Sequence, residues 1–281
     1  MKQLTAEQVA EGTNLDGKTV LITGCTSGIG FETMRVLANC GARIIGFGRT
    51  LEKAQNALKS IQGNHLAVEC EMSDFKSITE AIQHVNEPID IMIANAGTMW
   101  IPEKTLHHGI EGHLFINHIA HFAIINGLLK HLTSDGTIIT LSSAAHSFVR
   151  GNGLDLDDLA WNRKYSPWTA YAHSKLANLL YVREMKNHLK PGQNINAVHP
   201  GIIDSNLWRH SPNDKKKYKL KAVEFGASTS VYLAVNDIKE TGKYFTNSKL
   251  GKESKLAQNK EMAAELWLKS VQVIEKLKKK L

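Results

Sequence analysis

Lys18-Thr19-Val20-Leu21-Ile22-Thr23-Gly24-Cys25-Thr26-Ser27-Gly28-Ile29-Gly30 is the stretch that decides how the rest of the chain is read. Its first six residues form a short apolar, β-branched run of the kind found in buried strands. Phe31 to Cys40 then shows helical spacing, with Phe31, Met34, Val36 and Leu37 apolar and Gly41 as the stop. In a strand–turn–helix of this kind, glycines let the backbone approach a pyrophosphate closely, and the helix start offers free N–H groups and a positive dipole end. The spacing Gly24-x-x-x-Gly28-x-Gly30 differs from the commoner G-x-G-x-x-G, and an ordinary strand-to-helix loop also carries glycines.

Outward from this turn the strand signal recurs in Ala42 to Phe47, Leu66 to Cys70, Ile89 to Ala94, Thr137 to Leu141 and Ile195 to Val198. Each is followed by a segment long enough for a crossover, which predicts a parallel sheet with helices on both faces. Near-continuous apolar runs such as Ile89-Asp90-Ile91-Met92-Ile93-Ala94 fit central strands buried on both sides. At 281 residues, with no repeat, low-complexity tract or Pro/Gly/Ser linker, the chain reads as one α/β domain, doubly wound around a parallel sheet of about seven strands.

Composition narrows the class. With 42% hydrophobic and 22% charged residues, disordered and collagen-like chains drop out, and no stretch approaches the roughly 18 apolar residues of a spanning helix. The start, Met1-Lys2-Gln3-Leu4-Thr5-Ala6-Glu7, lacks the apolar core of a signal peptide, so a cytoplasmic protein without an integral membrane anchor is expected. Cys25, Cys40 and Cys70 are widely spaced and form no C-x-x-C pair, against a disulfide framework or zinc site. Lys+Arg 34 against Asp+Glu 27 leaves a net charge of +7, open to nucleic acid, an anionic membrane or an anionic cofactor.

The end of the second strand bears on the cofactor. A carboxylate there suits the 2′-hydroxyl of NAD and an arginine the 2′-phosphate of NADP. Gly46-Phe47-Gly48-Arg49-Thr50 has no acid and places Arg49 at that point, which favours NADP(H) over NAD(H), although a solvated loop arginine would look the same. Farther on, Tyr171-Ala172-His173-Ser174-Lys175 opens a helical segment from Ala170 to Leu189, so Tyr171 and Lys175 project from one face. An ammonium beside a phenol favours the phenolate, lowering a pKa of about 10 toward the range of a general acid/base. The same pair at the same spacing also occurs on surface helices without a role.

Taken together, the glycine turn, Asn95-Ala96-Gly97, Ser142-Ser143 and Tyr171-x-x-x-Lys175 resemble the short-chain dehydrogenase/reductase family and fall in its order, with Asn117 and Pro200-Gly201 as further matches. The resemblance covers about Gly17 to Tyr244 and implies a Rossmann fold that transfers a hydride between NAD(P) and a carbonyl or alcohol. Carried over residue by residue, it implies that Tyr171 transfers the proton and that Ser143 hydrogen-bonds the substrate oxygen. Lys175 would lower the tyrosine pKa and hold the ribose hydroxyls, and Asn117 would position a water linking Lys175 to solvent. Spacing alone does not choose between Ser142 and Ser143; the family pattern favours the second. Gly24, Thr26, Ser27, Gly28, Ile29 and Gly30 would bind the cofactor phosphates, and Glu71 and Met72 would lie by the adenine. Asn95, Ala96 and Gly97 would support a ribose, with Pro200, Gly201, Ile203 and Ser205 closing over the nicotinamide.

The long interval from Ser143 to Tyr171 and the tract Tyr171-Ala172-His173-Ser174-Lys175-Leu176-Ala177-Asn178 are similar to the retinol dehydrogenase-like branch, which includes the WW-domain-containing oxidoreductase. An N-terminal membrane anchor and WW modules are not expected here, and Ser205 replaces the usual threonine after Pro-Gly. On this reading residues 1–16 are an N-terminal extension, 144–170 a long loop near the substrate, 203–224 a segment covering it, and 257–281 a C-terminal helix. Homodimers or homotetramers through the helices carrying Asn117 and Tyr171 are usual for such proteins.

Trp100, Trp161, Trp168 and Trp208 suggest an apolar substrate cleft, the first, third and last as direct contacts, or else packing of the long loop. His107, His108, His113, His118 and His121 lack a carboxylate or cysteine to complete a metal set, so no metal is expected. Lys215 to Lys221 reads as a solvated face, with an anionic substrate or membrane as the alternative. Cys25, at a helix start, has the setting of a lowered thiol pKa.

The expected function is NADP(H)-dependent interconversion of a fairly apolar, retinoid-, steroid- or lipid-like carbonyl and its alcohol. The alternative from another class is a non-catalytic NADP(H)-binding regulator or scaffold. Nucleic-acid binding is not expected, because acids are dispersed among the bases.

Overall fold

The computed structural model describes residues 3–212 and 218–281. Seven parallel strands form the body: β1 (Thr19–Thr23), β2 (Arg43–Gly48), β3 (Leu66–Glu69), β4 (Ile89–Ala94), β5 (Leu132–Leu141), β6 (Asn194–His199) and β7 (Lys243–Thr246). Their order is β7-β6-β5-β4-β1-β2-β3. A two-residue strand, Lys249–Leu250, pairs antiparallel with β7 and makes the sheet eight-stranded. The short antiparallel edge and a separate two-stranded sheet, in which Leu106–His107 pairs with Ile110–Glu111, are the departures from the expected strand count.

Among the described residues, eight α-helices of five or more residues flank the sheet: α1 (Ala6–Ala10), α2 (Gly28–Asn39), α3 (Leu51–Leu58), α4 (Phe75–Gln83), α5 (Ala120–Leu128), α6 (Pro167–Met185), α7 (Val223–Val235) and α8 (Lys260–Lys278). Side-chain alternation in the strands sorts them. Val20, Ile22, Ile44, Ile93 and Ile139 pack with Met34 and Leu37 of α2 and Val231 of α7 on one face. Leu21, Ile45, Met92, Ile138 and Ile195 face α4, α5, α6 and α8 through Ile78, Ile125, Leu180 and Leu266. The helix starts are written locally: Thr50, Asp74, Ser166 and Asn259 each accept a backbone N–H one or two residues into the helix.

Three features extend the sequence reading. β5 begins at Leu132, not Thr137, because Ile89 pairs with Leu132 before the register shifts to Ile91 with Thr137. A π-helical turn, Phe115–Ile119, leads into α5 and carries Asn117. α8 lies across α5 and α6: the Trp267 ring stacks on Tyr181 (6.0 Å between centroids) and on His188 (3.8 Å), and meets Phe122 edge-on. His118 Nε2 pairs with Ser270 Oγ at 2.9 Å beneath it.

Among the described residues no helix is long and apolar enough to cross a membrane. Of the basic run Lys215 to Lys221, residues 215–217 lie outside the described residues. The strand order reverses between β1 and β4, and a crevice opens there at the carboxyl ends of the strands, the place where this topology binds ligands.

Candidate active site

The turn after β1 is built by its glycines. Gly24 has φ +68°, and a Cβ added there would lie 3.0 Å from Ala96 Cα. At Gly30 it would lie 2.2 Å from the Gly24 carbonyl oxygen and 2.3 Å from Asn95 Nδ2, so any side chain would push α2 away from β1. Asn95 Nδ2 donates to the carbonyl of Thr23 at 2.8 Å, while the N–H groups of Asn95 and Ala96 both donate to Thr23 Oγ1 at 3.0 Å. Thr23 Oγ1 therefore has its own proton left for His121 Nε2, 2.9 Å away, and His121 Nδ1 donates to the Asn117 carbonyl at 3.1 Å. The ends of β1 and β4 and the π-helical turn are thus one hydrogen-bonded frame.

A cleft of about 980 Å³ runs beside this frame. The phosphate turn lines it from Gly24 to Gly30, through Thr26, Ser27, Gly28 and Ile29. Arg49, Glu71 and Met72 line one end; Asn95, Ala96 and Gly97 lie in the middle; Pro200, Gly201, Ile203 and Ser205 lie opposite the turn. Ser143, Tyr171, Lys175, Trp100, Trp168 and Trp208 line the other end. All the residues singled out for cofactor and substrate therefore meet in one cavity. Asn117 stands behind it, fully buried, its Oδ1 accepting from Thr98 N–H at 2.8 Å and its Nδ2 donating to the Thr98 carbonyl and Ser174 Oγ. Its side chain braces the strand end next to Gly97. Trp161 is not in the cleft; it is buried against His173, with Arg163 over its ring.

α6 carries the titratable pair. Ser166 caps it, Pro167 occupies its first turn, and Tyr171 and Lys175 fall one turn apart, 4% and 5% exposed. Lys175 Nζ donates to the Leu141 carbonyl at 3.1 Å and lies 5.7 Å from the Tyr171 ring centroid. Burial pushes the ammonium down to about 8. Burial also pushes the Tyr171 phenol up to about 12, with a hydrogen bond from Ser143 pulling the other way. This differs from the expected lowering by Lys175, because desolvation of a buried phenolate outweighs an ammonium held off at the end of β5. Both serines border the cleft, but Ser142 is buried with its Oγ donating to the Lys175 carbonyl at 2.8 Å, whereas Ser143 hydrogen-bonds Tyr171.

Cys25 corrects another expectation. Its thiol is fully buried and donates to the Phe47 carbonyl, and burial pushes its pKa up to about 12 instead of down. The histidines are each held locally: His113 pairs with Glu111 at 2.7 Å, His118 with Ser270 and His121 with Thr23. Sequence reading missed Arg209, which lines the cleft beside Arg49 and donates to Thr98 Oγ1 at 3.4 Å. Its position within a short 3₁₀ turn, Asn206–His210, carries no motif signal.

The fold, the cradle of close backbone approaches and the Tyr171–Lys175 pair define a class. The chain belongs to the short-chain dehydrogenase family, whose model matches residues 18–154, and is an NAD(P)-dependent oxidoreductase acting on CH–OH donors. It is 36% identical to the short-chain dehydrogenase TIC 32 A, chloroplastic, of Brassica napus, over 97% of this chain and 93% of that one. It is likewise 36% identical to human retinol dehydrogenase 13, over 92% of this chain and 85% of the relative. A crystal structure of an uncharacterized protein from Mycobacterium paratuberculosis superposes with a TM-score of 0.82 at 32% identity, covering 98% of each chain.

Proposed function

We propose that this protein uses NADP(H) to interconvert a fairly apolar ketone or aldehyde and its alcohol, with Tyr171 as the general acid/base. The observation that carries the reading is the convergence of Ser143, Tyr171 and Lys175 on one cleft with the glycine turn. The cradle fits a dinucleotide: the N-terminus of α2 opens onto the cleft, and Gly24 and Gly30 leave room only for backbone. The bound nicotinamide supplies the hydride.

The chain's own residues hold the substrate and move the proton. Ser143 donates to the substrate oxygen as charge develops on it, and Tyr171 gives up its proton there in reduction or takes it back in oxidation. A phenol kept protonated by burial is the correct form for reduction. Lys175, seated on the Leu141 carbonyl, would orient the cofactor's ribose, and Asn117 holds the Thr98 backbone beside the place that ribose would take. Arg49 supports the NADP preference: it is 65% exposed in its side chain, with only a 3.3 Å contact to Glu71, so its fork stays open to a phosphate. Trp100, Trp168 and Trp208 support an apolar substrate by lining the far end of the cleft. Human retinol dehydrogenase 13 is named for an apolar alcohol, in keeping with this choice.

The deciding experiment titrates NADPH and NADH against the parent and Arg49→Ala by protein fluorescence, then assays Tyr171→Phe on apolar ketones. Tight NADPH binding that weakens in Arg49→Ala, with turnover lost in Tyr171→Phe, is the expected result. Binding of neither cofactor, or undiminished turnover in Tyr171→Phe, would overturn the reading.

A further inference from the structure

Trp100 sits in the left-handed region with φ 59°, and its buried indole N–H has no hydrogen-bond partner among the described residues. For a bulky side chain that backbone conformation is strained, so neighbouring structure must hold it. The next peptide is gripped from both sides. Ile101 N–H donates to His113 Nε2 at 3.1 Å, and the Tyr165 hydroxyl donates to the Ile101 carbonyl at 2.9 Å. A backbone N–H only donates, so Nε2 is the acceptor and the ring proton sits on Nδ1, which donates to Glu111 Oε1 at 2.7 Å. Glu111 Oε2 accepts from Leu114 N–H at 3.0 Å. Burial alone would push the Glu111 carboxyl up, but the hydrogen bonds from His113 and from the backbone at 113 and 114 hold it below the usual range. Both side chains are essentially inaccessible, at 1% and 0%, and neither takes part in the chemistry proposed for the cleft.

What the grip sets in place is an aromatic wall. Trp100 stacks on Trp168 with centroids 5.3 Å apart and planes 27° from parallel. Trp168 in turn leans on Tyr171 at 5.8 Å and meets Phe148 edge-on at 5.6 Å. All four rings line the cleft.

We propose that Glu111 and His113 are positioning residues for substrate selection: by fixing the Ile101 peptide they hold Trp100 against Trp168, giving the cleft a flat wall for a planar, ring-bearing carbonyl or alcohol. The consequence for substrates rests on the oxidoreductase reading above; the geometry does not. Glutamine at 113 can reproduce both bonds, its amide oxygen accepting from Ile101 and its NH₂ donating to Glu111. Alanine can make neither.

The test follows the exciton-coupled circular dichroism of the two stacked indoles, with Trp100→Phe and Trp168→Phe as references, alongside NADPH-dependent reduction of acetonaphthone and of acetone. The wild-type couplet should vanish in both references and in His113→Ala, and return in His113→Gln. His113→Ala should raise KM for acetonaphthone about tenfold more than KM for acetone; because the His113 ring also meets Tyr171 edge-on at 6.2 Å, any change in kcat should be shared by both ketones. Tyr165→Phe, which removes the hydroxyl from both the Ile101 carbonyl and Glu111, should weaken the couplet in part and serves if His113→Ala does not fold. A couplet unchanged in folded His113→Ala and in Tyr165→Phe, or one that folded His113→Gln fails to restore, would overturn the proposal. If the wild type turns over neither ketone, the oxidoreductase reading is at fault, and the couplet alone decides the positioning.

Discussion

The Ser142 hydroxyl donates to the backbone carbonyl of Lys175 at 2.8 Å, tying the end of β5 to the first turns of α6. Its neighbour Ser143 makes no such tie and instead hydrogen-bonds Tyr171 in the cleft. Two adjacent serines therefore have separate tasks. Ser143→Ala should lower kcat by about 10²-fold or more with the melting temperature nearly unchanged, whereas Ser142→Ala should cost about 1–3 kcal/mol of stability by leaving a buried carbonyl short of a donor. Steady-state kinetics and thermal melts on the two variants check this; equal kinetic losses would refute it.

Lys175 makes the protein's stability depend on alkaline pH in an identifiable way. Its folded pKa, about 8, lies below the ordinary 10.5, so between these values the unfolded chain binds more protons than the folded one. Stability from this group rises with pH across that window and carries its full deficit, about 3 kcal/mol, below pH 8. Cys25 and Cys70, both pushed up to about 12 by burial, act in the opposite sense above pH 9, so the effect must be read as a difference. Lys175→Met should abolish turnover, and its stability relative to the parent should decline steadily from pH 8 to pH 10.5 in denaturant titrations.

Arg49 and Arg209 face the same stretch of cleft, and burial, together with the nearby Arg49 guanidinium, lowers the pKa of Arg209. Arg209 also reaches Thr98, nearer the middle of the cleft. Arg49→Ala should weaken NADPH about tenfold and leave NADH almost unaffected, while Arg209→Ala should weaken both by a similar factor, as expected of a contact to the shared pyrophosphate. Isothermal titration with both cofactors distinguishes the two patterns.

The outward faces of α5 and α6 are covered by α8 through Trp267, Leu266 and Ser270. The chain should therefore run as a single 31.1 kDa particle in light scattering, not as a dimer through those helices. Trp267→Ala should cost about 3 kcal/mol and expose a face that associates at higher concentration. A stable dimer of the unmodified chain built on α5 and α6 would contradict this.

Peroxide treatment should leave cofactor affinity unchanged, because the Cys25 thiol is inaccessible and far from the thiolate form at neutral pH. A fluorescence titration before and after oxidation measures it.

Local signals carried most of the fold. β1 and β4 are near-continuous apolar runs and β6 carries the apolar Ile195, Ala197 and Val198, and their positions match the pattern of burial within a residue or so. The start of β5 was hidden because Thr133-Ser134-Asp135-Gly136 has turn composition, and only pairing of Leu132 with Ile89 makes it strand. Tyr171, Lys175 and the glycine turn were legible because each belongs to a fixed local spacing. Arg209 and the Glu111–His113 pair were not: their places in the site come from contacts with Thr98 and Ile101 that periodicity cannot express. The tyrosine pKa went astray for a related reason, since spacing shows a nearby ammonium but not the burial that opposes it.

The reversal of strand order between β1 and β4 has an evolutionary consequence. The cleft residues proposed to hold the nucleotide's phosphates and adenine end come mainly from residues 24–97, while the aromatic wall, the long loop before α6 and the segment after β6 border the cleft elsewhere. Mutations that retune the choice of alcohol therefore fall on different stretches of chain from those that recognise the nucleotide. A lineage built this way can drift across chemical niches while its energy currency stays the same.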